Sequence, residues 1–196
     1  MRIVLCMTGA SGAVYGLRML EELRTAGCDT HLIVSEWAEK TIAAECGVSL
    51  ESVAARASRV WGYRDMGAPV SSGSYPVDAV VVCPCSMKTL AGIAHGYADN
   101  LIIRAGDVAL KERRRLVLVP RESPLSVIHI ENMLAVARAG AIVAPPCPSF
   151  YGRPASLDDI VNQTVGRVLD LLGIRNDLAP RWGETAGPAA GAGRSS

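Results

Sequence analysis

No stretch of this 196-residue chain approaches the roughly 18 consecutive apolar residues of a membrane span, although 49% of its residues are hydrophobic. The first residues, MRIVLCMTGASG, read as a strand and a glycine turn. They carry no signal-peptide h-region or cleavage site, so a cytoplasmic protein without membrane partners is expected. An excess of one charge is also lacking. The net charge of +1 gives no global case for a nucleic-acid partner. The one basic run, Lys111 to Arg115, reads as a solvated helix end. A disulfide framework is missing too: Cys6, Cys28, Cys46, Cys83, Cys85 and Cys147 are scattered, and reduced thiols are expected. Cys83-Pro84-Cys85 lacks the C-x-x-C spacing, and His31, His95 and His129 form no cluster, so no metal site is expected.

What the chain does have is alternation of strands and helices. Residues 2–7, 30–34, 78–83, 116–119 and 141–144 are short apolar runs bounded by Gly, Pro or Ser and predict buried strands, with Pro84 ending the third. Residues 13–26, 36–46, 50–57, 87–96, 100–114, 127–139 and 157–172 predict helices. Gly27, Gly47, Gly140 and Gly173 fall where helices stop. Ser126 is a candidate N-cap, and Ser156 with Asp159 resembles a capping box. Leu157, Ile160, Val161, Thr164, Val168, Leu169 and Leu172 make one stripe on the last helix. Residues 62–76, rich in Gly, Ser and Pro, predict a long loop of the kind that carries function. The expected architecture is an α/β, Rossmann-like three-layer fold: a mostly parallel sheet with helices on both faces. A single domain over 1–182 is expected, with a disordered Gly/Ala/Ser/Pro-rich tail over 183–196.

Such sheets bind ligands beyond the carboxyl ends of their strands, which directs attention to the residues after each strand. After the first come Gly9, Ala10, Ser11 and Gly12, where glycines allow a tight turn and the next helix offers unpaired N–H groups to an anion. The spacing is neither G-x-G-x-x-G nor G-x-x-x-x-G-K-[ST], and a turn needing glycine for packing alone stays open. Ser35 follows the second strand and also reads as an N-cap. Ser86, Met87, Lys88 and Thr89 follow Pro84-Cys85 and suit a phosphate, with Ser86 as a simple cap the alternative. Arg121 and Glu122 sit between two prolines; Arg121 can fork onto a phosphate or carbonyl, and Glu122 is either its ion-pair partner or a proton-transfer group. Tyr151 lies in a Gly/Pro-bounded loop as a packing group or a ligand hydroxyl. No strand exit carries a nucleophile–base pair or paired carboxylates. The ligand reads as anionic, with chemistry supplied by a cofactor.

Eight segments together resemble the UbiX flavin prenyltransferase family, in family order and over nearly the whole chain. They are TGASGAVYG (8–16), VSEWA (34–38), CPCSMKTLAGIAHGYADNLI (83–102), GDVALKERR (106–114), LVLVPRESPLS (116–126), IHIENML (128–134), PSFYGRP (148–154) and PRWGE (180–184). The resemblance implies transfer of a dimethylallyl group from dimethylallyl phosphate to N5 and C6 of reduced FMN, without a metal. The prenylated FMN would serve UbiD-type decarboxylases. It implies FMN contacts from Gly9, Ala10, Ser11, Ser35, Ser86, Met87, Lys88, Thr89 and Arg121. It implies prenyl-phosphate contacts from Lys111, Arg121, Glu122, Tyr151 and Arg167, with Ser11, Glu122 and Lys111 in catalytic roles. It also implies a homo-oligomer, a dodecamer, with sites shared between subunits; Lys111 and Arg167, read on their own as solvated helix charges, would reach a site through an interface. Trp182 would either stack on a neighbour's ligand or pack. Asp65-Met66-Gly67 stands where the family carries a loop aromatic. Two other readings remain open at this point: a flavin-dependent cysteine decarboxylase using His95 or His129, and a non-catalytic flavin carrier.

Overall fold

The computed structural model describes residues Met1–Gly183, which divide along the chain into two units, Met1–Pro146 and one that begins at Cys147. The expected tail lies, apart from Gly183, outside the described residues.

The first unit is built on a six-stranded, all-parallel sheet in the order β3-β2-β1-β4-β5-β6. The strands are β1 (Arg2–Met7), β2 (Asp29–Val34), β3 (Arg59–Trp61), β4 (Ala79–Cys85), β5 (Arg115–Pro120) and β6 (Ile142–Val143). The helices are α1 (Ala13–Thr25), α2 (Glu36–Cys46), α3 (Leu50–Ala54), α4 (Met87–Ala94), α5 (Leu101–Lys111) and α6 (Val127–Arg138). This strand order is the doubly wound one, and it reverses between β1 and β4. Successive side chains of a strand face opposite ways. Val4 and Cys6 of β1 therefore join one core with Leu90 and Ile93 of α4 and Leu101, Ile102 and Ala105 of α5. Met7 points to the other face, against α1: a Cβ on Gly16 would stand 2.5 Å from Met7 Cε and from the Cys83 carbonyl oxygen. Helices thus cover both faces, as expected for buried parallel strands.

Two elements differ from the sequence expectation. β3 is an additional edge strand, three residues long, paired with β2 through His31–Arg59, Leu32–Val60 and Ile33–Trp61. β4 does not stop at Pro84 but runs to Cys85, with a register shift against β5 between Val82 and Cys85. Proline lacks an N–H, but its carbonyl still accepts: Thr8 donates to Pro84 O from its amide at 3.2 Å and from its hydroxyl at 2.8 Å. The 62–76 loop holds a single 3-10 turn at Pro69–Ser71.

The second unit contains α7 (Leu157–Leu172). Ser156 and Asp159 form the expected capping box, and Gly173 ends the helix at φ 76°. The buried face runs through Val161, Thr164, Val165, Val168, Leu169 and Leu172. Leu157 is off it, 84% exposed. Beyond the helix, Arg181 forks onto Asp170 at 2.8 and 3.1 Å.

At the amino end of the sheet, His31 is fully buried. The Trp61 indole N–H donates to its Nδ1 at 3.1 Å, so its proton sits on Nε2. Nε2 faces Asp29 Oδ1 at 3.4 Å without hydrogen-bond geometry. Burial lowers the His31 pKa from its ordinary value; Asp29 opposes this, and Arg2 and Arg59 add to it. A group held neutral in the fold contributes stability that is present above its unfolded pKa, about 6.5, and is lost as pH falls below it. Urea unfolding is therefore expected to show stability declining from pH 7 to pH 5, with a shallower decline in His31→Gln, whose amide oxygen still accepts from Trp61. An unchanged slope in that variant would remove His31 as the cause.

Candidate functional site

The exits of β2, β1, β4 and β5 are laced together at the reversal of strand order. Ser35 N donates to Met7 O at 3.0 Å, and Arg121 N to Cys85 O at 3.2 Å. The Thr8 hydroxyl donates to Pro84 O and accepts from Ser86 N at 2.7 Å, which fixes the β1 exit against the start of α4. Thr8 is 97% buried and is an organiser that sequence reasoning missed.

Ser35 and Ser86 are N-caps: their hydroxyls accept from Ala38 N at 3.1 Å and Thr89 N at 3.3 Å. The Ser86 hydroxyl also donates to the Thr89 hydroxyl at 3.1 Å. Met87 is buried in the core and Lys88 is exposed. Capping does not exclude a ligand, because both use the same end of the strand.

The glycine turn holds a surprise. α1 starts from Gly12, in the left-handed region at φ 99°, and has no side-chain cap of its own. The Glu45 carboxylate takes that place, accepting from Gly12 N at 2.8 Å and Ala13 N at 2.9 Å. It also accepts from the Ser11 hydroxyl. Burial alone would raise the Glu45 carboxyl, but these hydrogen bonds and the Arg121 charge hold it below the usual carboxylate range. The anion expected at this helix end is thus the protein's own. Ser11 does not cap α1; it is gripped at both ends, its hydroxyl by Glu45 and its carbonyl by Arg121 Nε at 3.1 Å. Glu45 had one sequence signal: it is an acid in the last turn of a helix, where the macrodipole disfavours it.

Gly9 is needed for close approach. A Cβ there would lie 2.5 Å from Trp37 Cβ and 3.3 Å from the Trp37 carbonyl carbon. Ala10 beside it is partly exposed.

The other expected residues are placed as follows. Glu122 is exposed and accepts from Ser123 N at 3.1 Å; no ion pair joins it to Arg121 among the described residues. Lys111 ends α5, just before β5 begins, and pairs with Glu112. It therefore lies at the amino end of the sheet, opposite Ser11 and Arg121 within one chain. Tyr151 and Arg167 belong to the second unit. The Tyr151 ring meets Trp182 edge-on at 5.2 Å, its hydroxyl lies 3.5 Å from Pro180 O, and Arg167 is exposed on α7.

Chemically, the centre has a hydroxyl on a carboxylate, a guanidinium, and two helix starts with hydroxyls. It has no thiolate: burial pushes Cys83 up to about 12, and Cys6 and Cys85 are likewise raised by burial. The histidines are engaged elsewhere, His95 Nε2 with Asn132 Oδ1 at 2.9 Å and His129 Nδ1 accepting from Ser126 N at 3.3 Å. Among the described residues, no group of three His, Cys, Asp or Glu is arranged to hold a metal, and no helix is long and apolar enough to cross a membrane.

The flavoprotein family model matches residues 1–169. A probable UbiX-like flavin prenyltransferase of Streptomyces sp. (strain D7) is 54% identical over 183 residues, 93% of this chain and 92% of the relative. The chain belongs to the UbiX-like flavin prenyltransferases, within the flavoprotein family. The crystal structure of AnUbiX (PadA1) in complex with FMN and dimethylallyl pyrophosphate matches with a TM-score of 0.91 at 52% identity, covering 92% of this chain and 96% of that one. A dodecameric FMN-dependent UbiX-like decarboxylase from Escherichia coli O157:H7 matches with a TM-score of 0.91 at 51% identity, covering 93% and 99%. The FMN-dependent cysteine decarboxylase TvaF matches at 20% identity with a TM-score of 0.63, which shows a shared fold and no more.

The close approach at Gly9 gives a direct check on the geometry. Gly9→Ala should destabilise the protein by ~1–3 kcal/mol, because the added methyl meets backbone and Cβ atoms that cannot swing away. Urea denaturation measures this; an unchanged midpoint would show that Trp37 does not press on Gly9.

Proposed function

We propose that this protein is a flavin prenyltransferase. It joins the dimethylallyl group of dimethylallyl phosphate to N5 and C6 of reduced FMN and releases prenylated FMN for UbiD-type decarboxylases, in the cytoplasm. The observation that carries the reading is Ser11, held between the Glu45 carboxylate and the Arg121 guanidinium at the reversal of strand order, in a chain about half identical to UbiX-like enzymes. The family match over residues 1–169 enters both units and supports one flavin-binding domain there, which we extend to residue 182.

The residues present fit FMN. The N-termini of α2 and α4 flank the β1 exit, and Ser35, Ser86, Lys88 and Thr89 offer hydroxyls, N–H groups and a cation to its phosphate. The backbone of Gly9, Ala10 and Ser11 lies beside it, and Met87 supports the start of α4 from the core. Reduced FMN would supply the electron-rich N5 and C6 positions that receive the dimethylallyl group. As the donor's carbon–oxygen bond breaks, its electron pair leaves on phosphate, and fixed cations stabilise that charge. Arg121, anchored through Nε, turns its other edge to the phosphate. Glu122 follows Arg121 in the same loop, and Tyr151 and Arg167 keep the prenyl-phosphate roles that the family resemblance implies for them. The N5 bond would displace the N5 proton, and the C6 bond would use the donor's double bond, which takes up one proton while C6 releases another. Of the two protons released, one balances that uptake, and the Ser11 hydroxyl, already donating to Glu45, passes the other to that carboxylate.

Lys111 lies at the wrong end of its own sheet for this role, so it would serve the site of another copy. Self-association has support in α6, which exposes Val127, Ile128, Ile130 and Leu134 at 70, 67, 55 and 48%. Apolar rows of this kind mark interfaces. A dodecamer, as in the Escherichia coli relative, is the proposed assembly.

The test is anaerobic incubation with reduced FMN and either dimethylallyl phosphate or the pyrophosphate, followed by mass analysis of the extracted flavin. A gain of one prenyl unit is expected with the monophosphate. Arg121→Ala, Glu122→Gln and Glu45→Gln should each lower the rate by about a hundredfold. No gain in flavin-loaded protein with either donor would contradict the reading. A decarboxylated thiol from a peptidyl-cysteine would replace it with the decarboxylase reading.

A further inference from the structure

Trp37 stands out among the residues the mechanism does not use. It is in the first turn of α2, just past the Ser35 cap, and its side chain is 68% exposed. A large aromatic in a monomer core would be buried; this one has its backbone and Cβ pressed on Gly9 instead. The Lys40 ammonium lies over the indole, 4.4 Å from the ring centroid. A cation on one face holds a ring in place and leaves its other face open.

The helix that carries Trp37 also carries Glu45. Positions 37, 41 and 45 recur every four residues and share one face of α2. Thr41 between them closes its hydroxyl onto Trp37 O at 2.9 Å. One face of one helix therefore touches the glycine turn twice: at Gly9 through Trp37, and at Ser11, Gly12 and Ala13 through Glu45. The rim beside it is closed by the Arg64–Glu36 pair at 2.8 Å, which ties the 62–76 loop to the residue before Trp37.

We infer that Trp37 is a wall of the flavin site, its open indole face lying against the bound ring system. The inference rests on the flavin reading above. Its grounds are the close approach of Trp37's Cβ and backbone to Gly9, the exposure of its side chain, and the cation that orders the ring. An aromatic surface placed so lends van der Waals and stacking contact to a flat π ligand without specific hydrogen bonds. Lys40 adds positive charge beside a ligand that carries phosphate.

The experiment is titration of oxidised FMN into the full-length wild type, Trp37→Phe and Trp37→Ala, read by Kd and by the shape of the flavin's visible absorption band. Thermal unfolding and oligomer mass are measured alongside. Trp37→Ala should weaken FMN binding about tenfold or more and return the visible band towards that of free FMN. Trp37→Phe should stay within about threefold of wild type, because a smaller ring keeps the contact. Unfolding temperature should hold in both, since the side chain is mostly exposed. A Trp37→Ala protein with wild-type Kd and band shape overturns the inference, also when its oligomer mass changes, which would assign the indole to a subunit interface. A wild type that binds no FMN overturns the flavin reading and this inference with it.

Discussion

A carboxylate at the start of a helix governs this structure. α1 begins at a left-handed glycine with no side chain of its own to satisfy the first N–H groups. Glu45, 33 residues further along, supplies the missing acceptor to Gly12, reaches Ala13, and takes the Ser11 hydroxyl as well. Unsatisfied N–H groups at a helix start cost about 1 kcal/mol or more, and a negative charge there is favoured by the helix dipole. The end of α2 and the start of α1 are thereby locked together. Arg121 closes the loop from the β5 side. The glycine turn is thus tied to both α2 and the β5 exit, the kind of fixing that preorganised charge-stabilising sites use.

The sheet gives this turn its neighbours. With β2 and β4 on either side of β1, two further helix starts meet at the same place, and Thr8 stitches the β1 and β4 exits across Pro84. The geometry also separates what the linear motifs put together. Ser11 and Arg121 share a centre, while Lys111, on the other end of its helix, sits where β5 begins. In the proposed assembly of copies, one site would draw on both sets, and the apolar outer residues of α6 fit such an assembly.

Most of the fold was legible in the sequence because its signals are local. Ser35, Ser86, Ser126 and Ser156 all cap the helices that follow them. What was not legible is non-local. β3 is short, with Arg59 and Val60 exposed, and is defined by pairing with β2 rather than by a pattern of its own. Pro84 reads as a strand end, yet Thr8, 76 residues away, keeps its carbonyl in use. Glu45 looks like a surface acid on an exposed helix, and its partners are invisible without the fold; the hint is that it breaks the dipole rule in its own helix. Ser11 was legible as a candidate, but not that its two ends are held by different elements.

Because Glu45 holds the turn in place, its loss should free the amides it binds. Hydrogen exchange at the Gly12 and Ala13 amides, in wild type and Glu45→Ala, tests it most directly. Both amides should be protected in wild type and exchange at least about tenfold faster in the variant, while amides of β1 and β4 stay as they were. Equal protection of Gly12 and Ala13 in the two proteins would contradict it.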